Sequence, residues 1–234
     1  MAFARVRAIS RGMLNTIPNV LTVLRLLAAP AFALVFVVLP SPVADWVALA
    51  LFVGAALTDY FDGWLARRWG QVSAFGRMLD PIADKAMVVI ALAVLMGLSG
   101  LNPWVLIPAA MILFREVFVS GLREFLGADA GKLAVTKLAK WKTTVQMVAI
   151  PLLLLAGIFQ YDYLVVYNQI GTEGELAVLS GDAEDEFGLR AVVWRFQAAY
   201  SAGVVTMWAA GLLTLITGID YFRKALPFLT PKEG

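Results

Sequence analysis

Four aspartates, Asp59, Asp62, Asp80 and Asp84, fall within residues 59–84 of a chain that is 61% hydrophobic. Carboxylates are costly beside a membrane, and a cluster of them there marks a function by default. Asp59 and Asp62 are spaced i, i+3, with Gly63 and Arg67 at four-residue steps from Asp59. On a helix these share one face, as do Asp80 and Asp84 at i, i+4. The glycine-bounded stretch 70–76 supplies a turn, so two antiparallel helices can bring all four carboxylates together. Bare carboxylates so close raise each other's pKa, and a hard divalent cation relieves the repulsion. Oxygen-only ligands favour Mg²⁺, Mn²⁺ or Ca²⁺ over zinc or copper. Two ions sharing bridging carboxylates suit in-line phosphoryl chemistry. Gly63 and Ala66 remove bulk on the same face, and Gly76 does so one turn before Asp80. A solvated helix end would explain a lone pair of aspartates. It does not explain two matched pairs with small residues and Arg67 in register.

The rest of the inventory narrows the chemistry. The 234 residues include no cysteine and no histidine. That excludes disulfides, thiolate nucleophiles and the usual zinc ligands and general base. Acid–base work must fall to Asp, Glu, Lys, Tyr or water. Only 15% of residues are charged, and the mean hydropathy is +0.79. An ordinary soluble domain carries about 25% charged residues. The chain therefore reads as an all-α, polytopic membrane protein and one domain over 1–234, with no nucleic-acid partner.

Six apolar segments position the aspartates, with rough spans 19–39, 43–68, 80–98, 103–122, 143–159 and 191–219. Each is long enough for a transmembrane helix. The second turns charged after Leu57, so its last turns emerge into water. Lys and Arg are strongly partitioned. Arg5, Arg7 and Arg11 precede the first segment. Arg67, Arg68, Arg77 and Lys85 lie about the second connection, and Arg123, Lys132, Lys137, Lys140 and Lys142 about the fourth. Arg223, Lys224 and Lys232 follow the last segment. The alternate connections are almost free of them. The positive-inside rule then predicts both termini and the aspartates on the cytoplasmic side. The expected location is the cell's inner (plasma) membrane. Residues 1–18 read as a basic cytoplasmic segment with no secretory cleavage pattern. Residues 160–190, with Asp182, Glu184, Asp185 and Glu186, read as a solvated acidic outer loop.

The pattern DxxDGxxARx8GxxxDxxxD over 59–84 resembles the signature of the CDP-alcohol phosphotransferase family, without a departure at any fixed position. The family is similarly built from six transmembrane helices and moves a phosphatidyl or related group from a CDP-linked donor to an alcohol, releasing CMP. The resemblance implies two Mg²⁺ ions (Mn²⁺ being possible) held by Asp59, Asp62 and Asp80. Asp84 would be a further ligand and the general base. Asp62, Gly63, Ala66, Arg67 and Gly76 would line the CDP site. The bare inventory fits, since a cation pair neutralises pyrophosphate and a carboxylate deprotonates an alcohol where no histidine exists.

Further stretches, 15–25, 75–85, 115–124 and 140–147, resemble members of that family that use sn-glycerol 3-phosphate with CDP-diacylglycerol as donor. Asn19, Thr22 and Arg25 are then expected at the donor mouth. Arg115, Arg123, Lys137, Lys140 and Lys142 are candidates for the acceptor phosphate, since a phosphorylated alcohol needs a cationic pocket. Arg115 stands out, because it sits beside Glu116 inside an apolar run. The lysines alternatively serve only as a positive-inside flank. Membrane lipid and a second copy of the chain, as a homodimer, are the other expected partners. Within the family an inositol phosphate, serine or phosphatidylglycerol acceptor is the alternative. Outside it the alternative is a cation transporter, which places acids near the bilayer midplane in broken helices.

Overall fold

The computed structural model describes residues 17–69, 74–127, 131 and 137–229, except the side chains of residues 18, 60–69, 77, 137, 139, 140 and 229. The basic segment 1–16 lies outside the described residues. Six helices follow in order: α1 Ile17–Val38, α2 Val43–Trp69, α3 Ala74–Leu98, α4 Pro103–Leu126, α5 Lys137–Ser180 and α6 Leu189–Leu229. No strand occurs among the described residues.

Five helices are long and apolar enough to cross a membrane: 19–38, 74–98, 103–126, 141–180 and 189–228. In their most apolar windows only 22–39% of residues are buried. The remainder put Leu24, Leu27, Leu34, Val117 and Val205 on the surface. Water would not support so much exposed aliphatic surface, whereas lipid does. Pro30, Pro81, Pro108, Pro151 and Pro227 lie inside helices, as membrane helices tolerate. The chain is a multi-pass membrane protein.

Two compact units are present, Met1–Val94 and Leu95–Gly234. In the first, α1 packs on α2. Phe32 meets Phe52 edge-to-face at 6.4 Å, and Ala44, Ala48, Ala55 and Ala29 keep the contact close. Arg25 reaches Asp59 on the same pair, so α1 and α2 run antiparallel. Thr22 bonds Asp80 while Arg25 bonds Asp84, which sets α3 parallel to α1. Each connection therefore reverses the chain.

In the second unit α6 packs on both α4 and α5. Trp104 with Trp208 and Phe118 with Phe222 set α4 parallel to α6. Tyr163 stacks on Phe196 while Leu153 lies against Gly203, which sets α5 antiparallel to α6. Glycines on α6 make these approaches possible. A Cβ on Gly203 would stand 2.8 Å from Leu153, on Gly211 3.2 Å from Pro108, and on Gly218 3.0 Å from Arg115.

Three sequence expectations change. Residues 160–180 are helical and continue α5, with one interruption at Gly171 (φ 69°, ψ −178°). Only 181–188 connect α5 to α6. The polar composition of 160–180 concealed a helix that Tyr163 and Tyr167 brace across Gly171, through Glu175 at 2.9 Å and Thr172 at 2.8 Å. The acidic connection also has structural duties. The Asp185 carboxylate accepts from the Leu189 and Arg190 amides and caps α6. Finally, α3 begins at Ala74, so 74–76 are helical, and Asp80 sits in its second turn.

Candidate active site

The polar residues of the first unit gather where three helical faces change from apolar to polar. On α1 one buried face reads Asn19, Thr22, Arg25, Ala29 and Phe32, none more than 3% exposed. On α2 the buried positions Ala44, Ala48, Phe52 and Ala55 lead, one turn later, to Asp59. On α3 Asp80 and Asp84 precede Met87 and Ala91 on a shared face. The apolar lengths fix the register of the helices, and that register delivers the polar ends to one another.

A single nitrogen organises the result. Arg25 Nη1 donates to Asp59 Oδ1 at 2.6 Å and to Asp84 Oδ1 at 2.7 Å. Those two oxygens therefore lie within about 5 Å of each other, a separation one hard cation can serve. Thr22 Oγ1 donates to Asp80 Oδ1 at 2.6 Å. The Arg25 side chain is 2% exposed, against 48% and 41% for Asp59 and Asp84. A buried cation thus backs two half-exposed carboxylates. Asn19 is buried on the same face and Gly76 is buried on α3.

Asp62, Gly63, Ala66 and Arg67 lie on α2, but their side chains are outside the described residues. Among the described residues no group of three acidic side chains is close enough to hold a metal ion. The donor chemistry nonetheless fits a hard cation, since oxygens are its only metal-capable groups.

The basic candidates of the second unit whose side chains are described separate into two groups. Arg115 Nη1 donates to Glu116 Oε1 at 3.0 Å, and Lys142 Nζ donates to the same oxygen. The three side chains are 14%, 14% and 6% exposed, with buried Gln146 one turn beyond Lys142. Among the described side chains, two cations and one anion leave this cluster net positive. A buried charged group of this kind is retained only where it is paired. Arg123 lies elsewhere, its Nε donating to Tyr221 Oη at 3.2 Å and its guanidinium 5.5 Å from that ring. Lys137 and Lys140 stand in the first turn of α5, with side chains outside the described residues.

Sequence reading missed the organising parts. It placed Thr22 and Arg25 near a donor and did not see them as partners of the aspartates. Their spacing with Ala29 and Phe32 was the available signal. It paired Glu116 with Arg115 alone, and nothing local announces Lys142 as the second partner.

Comparison with known proteins adds an independent line. Residues 15–173 match the family model described as CDP-alcohol phosphatidyltransferase. A protein of Cereibacter sphaeroides named CDP-diacylglycerol--glycerol-3-phosphate 3-phosphatidyltransferase is 55% identical over 221 residues, covering 93% of this chain and 99% of its own length. A Rickettsia bellii protein of the same name is 36% identical over 89% of this chain and 94% of its own. An Escherichia coli protein, again so named, is 47% identical over 59% of this chain and 76% of its own.

Proposed function

Because the chain belongs to the CDP-alcohol phosphatidyltransferase family, we propose that it transfers the phosphatidyl group of CDP-diacylglycerol to sn-glycerol 3-phosphate, releasing CMP. The product is phosphatidylglycerophosphate. The relative from Cereibacter sphaeroides, aligned over nearly the whole of both chains, supports the choice of acceptor. The geometric observation that carries the reading is the meeting of Asp59 and Asp84 on Arg25, with Asp80 held by α1 through Thr22.

Asp59, Asp62, Asp80 and Asp84 would hold Mg²⁺, two ions in all, with Mn²⁺ able to replace it. When bound, the metal neutralises charge on the donor's pyrophosphate. Asp84 takes the proton from the primary hydroxyl of the acceptor, whose oxygen attacks the lipid-side phosphorus. The bond from that phosphorus to the bridging oxygen breaks, and CMP departs. Asp84 is suited to this because its side chain is 41% exposed and its Oδ1 is fixed by Arg25. Asp62, Gly63, Ala66, Arg67 and Gly76 line the cytidine diphosphate, with Asn19 and Thr22 behind them. Arg115 and Lys142 bind phosphate, a role supported by the net positive charge of their cluster. Lys137, Lys140 and Arg123 supply further positive charge.

The protein lies in the inner membrane as a homodimer, its aspartates facing the cytoplasm. The partition of Lys and Arg supports that orientation. The deciding experiment supplies purified protein with CDP-diacylglycerol and a panel of acceptors. Release of CMP with glycerol 3-phosphate is expected. Release only with inositol phosphate, serine or phosphatidylglycerol would replace the acceptor.

A further inference from the structure

The Arg25 guanidinium is almost wholly buried, yet it spends one nitrogen on two carboxylates that face outward. Each of those bonds takes an Oδ1 that a divalent cation would also require. We propose that Arg25 is an internal counter-ion of the carboxylate site, competing with the divalent cation for Asp59 and Asp84 and so setting how tightly the metal is held. This rests on the metal-binding reading of the same site.

Three observations carry it. First, Arg25 lies on a face that continues into Ala29 and Phe32, both 0% exposed. Its backbone is thereby pinned, so the charge is delivered to a fixed place. Second, arginine stays charged at any working pH, and its fork can hold two carboxylates together without a metal. Carboxylates that close otherwise repel and drive one another toward the protonated form. Third, Thr22 holds Asp80 from the same face of α1. Helix α1 thus carries a neutral donor for one aspartate and a cation for two others. Neutral and charged partners make opposite predictions for metal affinity: a hydroxyl orients a ligand, whereas a guanidinium also repels the incoming cation.

The competition has a sign and a size. Removing a unit charge about 5 Å from a dication, at the dielectric of water, strengthens the dication's binding about tenfold. Losing the counter-ion also leaves the carboxylates repelling one another when no metal is bound. The metal should therefore restore stability to the variant more than to the parent.

The test uses the full chain in detergent, with Mn²⁺ as the probe. Its dissociation constant is read by electron paramagnetic resonance, and the melting temperature is read with chelator and with saturating Mn²⁺. Arg25→Gln is expected to bind Mn²⁺ about tenfold more tightly. It should melt lower than the parent in chelator, with the gap narrowing in Mn²⁺. An unchanged dissociation constant, with an equal loss of stability in both conditions, would make Arg25 a packing residue and overturn the inference. Weaker Mn²⁺ binding would overturn it too. Should Arg25→Gln fail to fold, Arg25→Lys keeps the charge on a shorter reach and is expected to tighten binding by less, in the same direction. A parent protein that binds no Mn²⁺ would defeat the metal reading itself, an outcome distinct from a parent that binds and a variant that does not differ.

Discussion

Glu116 carries the clearest energetic prediction. Its Oε1 accepts from Arg115 and from Lys142, and none of the three side chains is more than 14% exposed. Glu116→Gln keeps the shape and removes the anion, leaving two cations facing one another in a water-poor setting. Breaking a buried pair by deleting one partner costs about 3–5 kcal/mol, and here one deletion removes the carboxylate to which both Arg115 and Lys142 donate. Lys142→Met is different, because Arg115 still neutralises Glu116. That change forfeits one charge-assisted hydrogen bond, about 1.5–3 kcal/mol. The structure thus fixes an order, Glu116→Gln worse than Lys142→Met. The double variant should cost less than the sum of the singles, since Lys142→Met removes one of the cations that Glu116→Gln exposes. Unfolding in mixed micelles titrated with dodecyl sulfate, followed by far-ultraviolet circular dichroism, measures all three. If Lys142→Met is as damaging as Glu116→Gln, or Glu116→Gln costs under about 1 kcal/mol, the charge accounting is wrong.

Three further outcomes are expected. Asp84→Asn should lower turnover by about 10²–10⁴-fold, the usual worth of a positioned base, while donor binding and helical content persist; near-normal turnover would remove the base from Asp84. Chelation should abolish CMP release and added Mg²⁺ or Mn²⁺ should restore it, so activity surviving thorough metal removal would defeat the proposed chemistry. Gly203→Ala should destabilise by about 1–3 kcal/mol, because the new Cβ stands 2.8 Å from Leu153 and 3.2 Å from its backbone nitrogen. Gly97→Ala, with nothing within 4 Å, is the control and should be neutral or slightly stabilising in the same unfolding assay.

Much of the architecture was legible because it rests on local periodicity. Ala44, Ala48, Phe52 and Ala55 recur at helical spacing and lead directly to Asp59, so the segment and its active end could be read together. The extent of α5 could not be read the same way. Past Phe159 its sequence turns to Tyr, Asp, Asn, Thr and Glu, which mimics a loop by composition while Tyr163 and Tyr167 bond across the kink at Gly171. In the site, the aspartates announced themselves by type and spacing. Their partners did not, since Arg25 lies 34 residues from Asp59 and 59 from Asp84. A contact of that range is decided by which helices pack, and no window of sequence contains it. Glu116 with Lys142, 26 residues apart, is the same case.

The length of α5 has a mechanical consequence. The part before Gly171 alone is about 50 Å long at 1.5 Å per residue, against a hydrocarbon layer of about 30 Å. An upright α5 must outrun the bilayer, and α6, paired antiparallel to it, must do so alongside. Tyr163 and Tyr167, with Phe196 and Tyr200 opposite, form a continuous ladder of rings on this pair. Such rings favour the headgroup level, and Arg195 beside Phe159 adds a charge suited to the same depth. The ladder is therefore a waterline: it moors the hairpin vertically, and a bilayer thinner or thicker than its setting would have to deform before α5 and α6 slid through it.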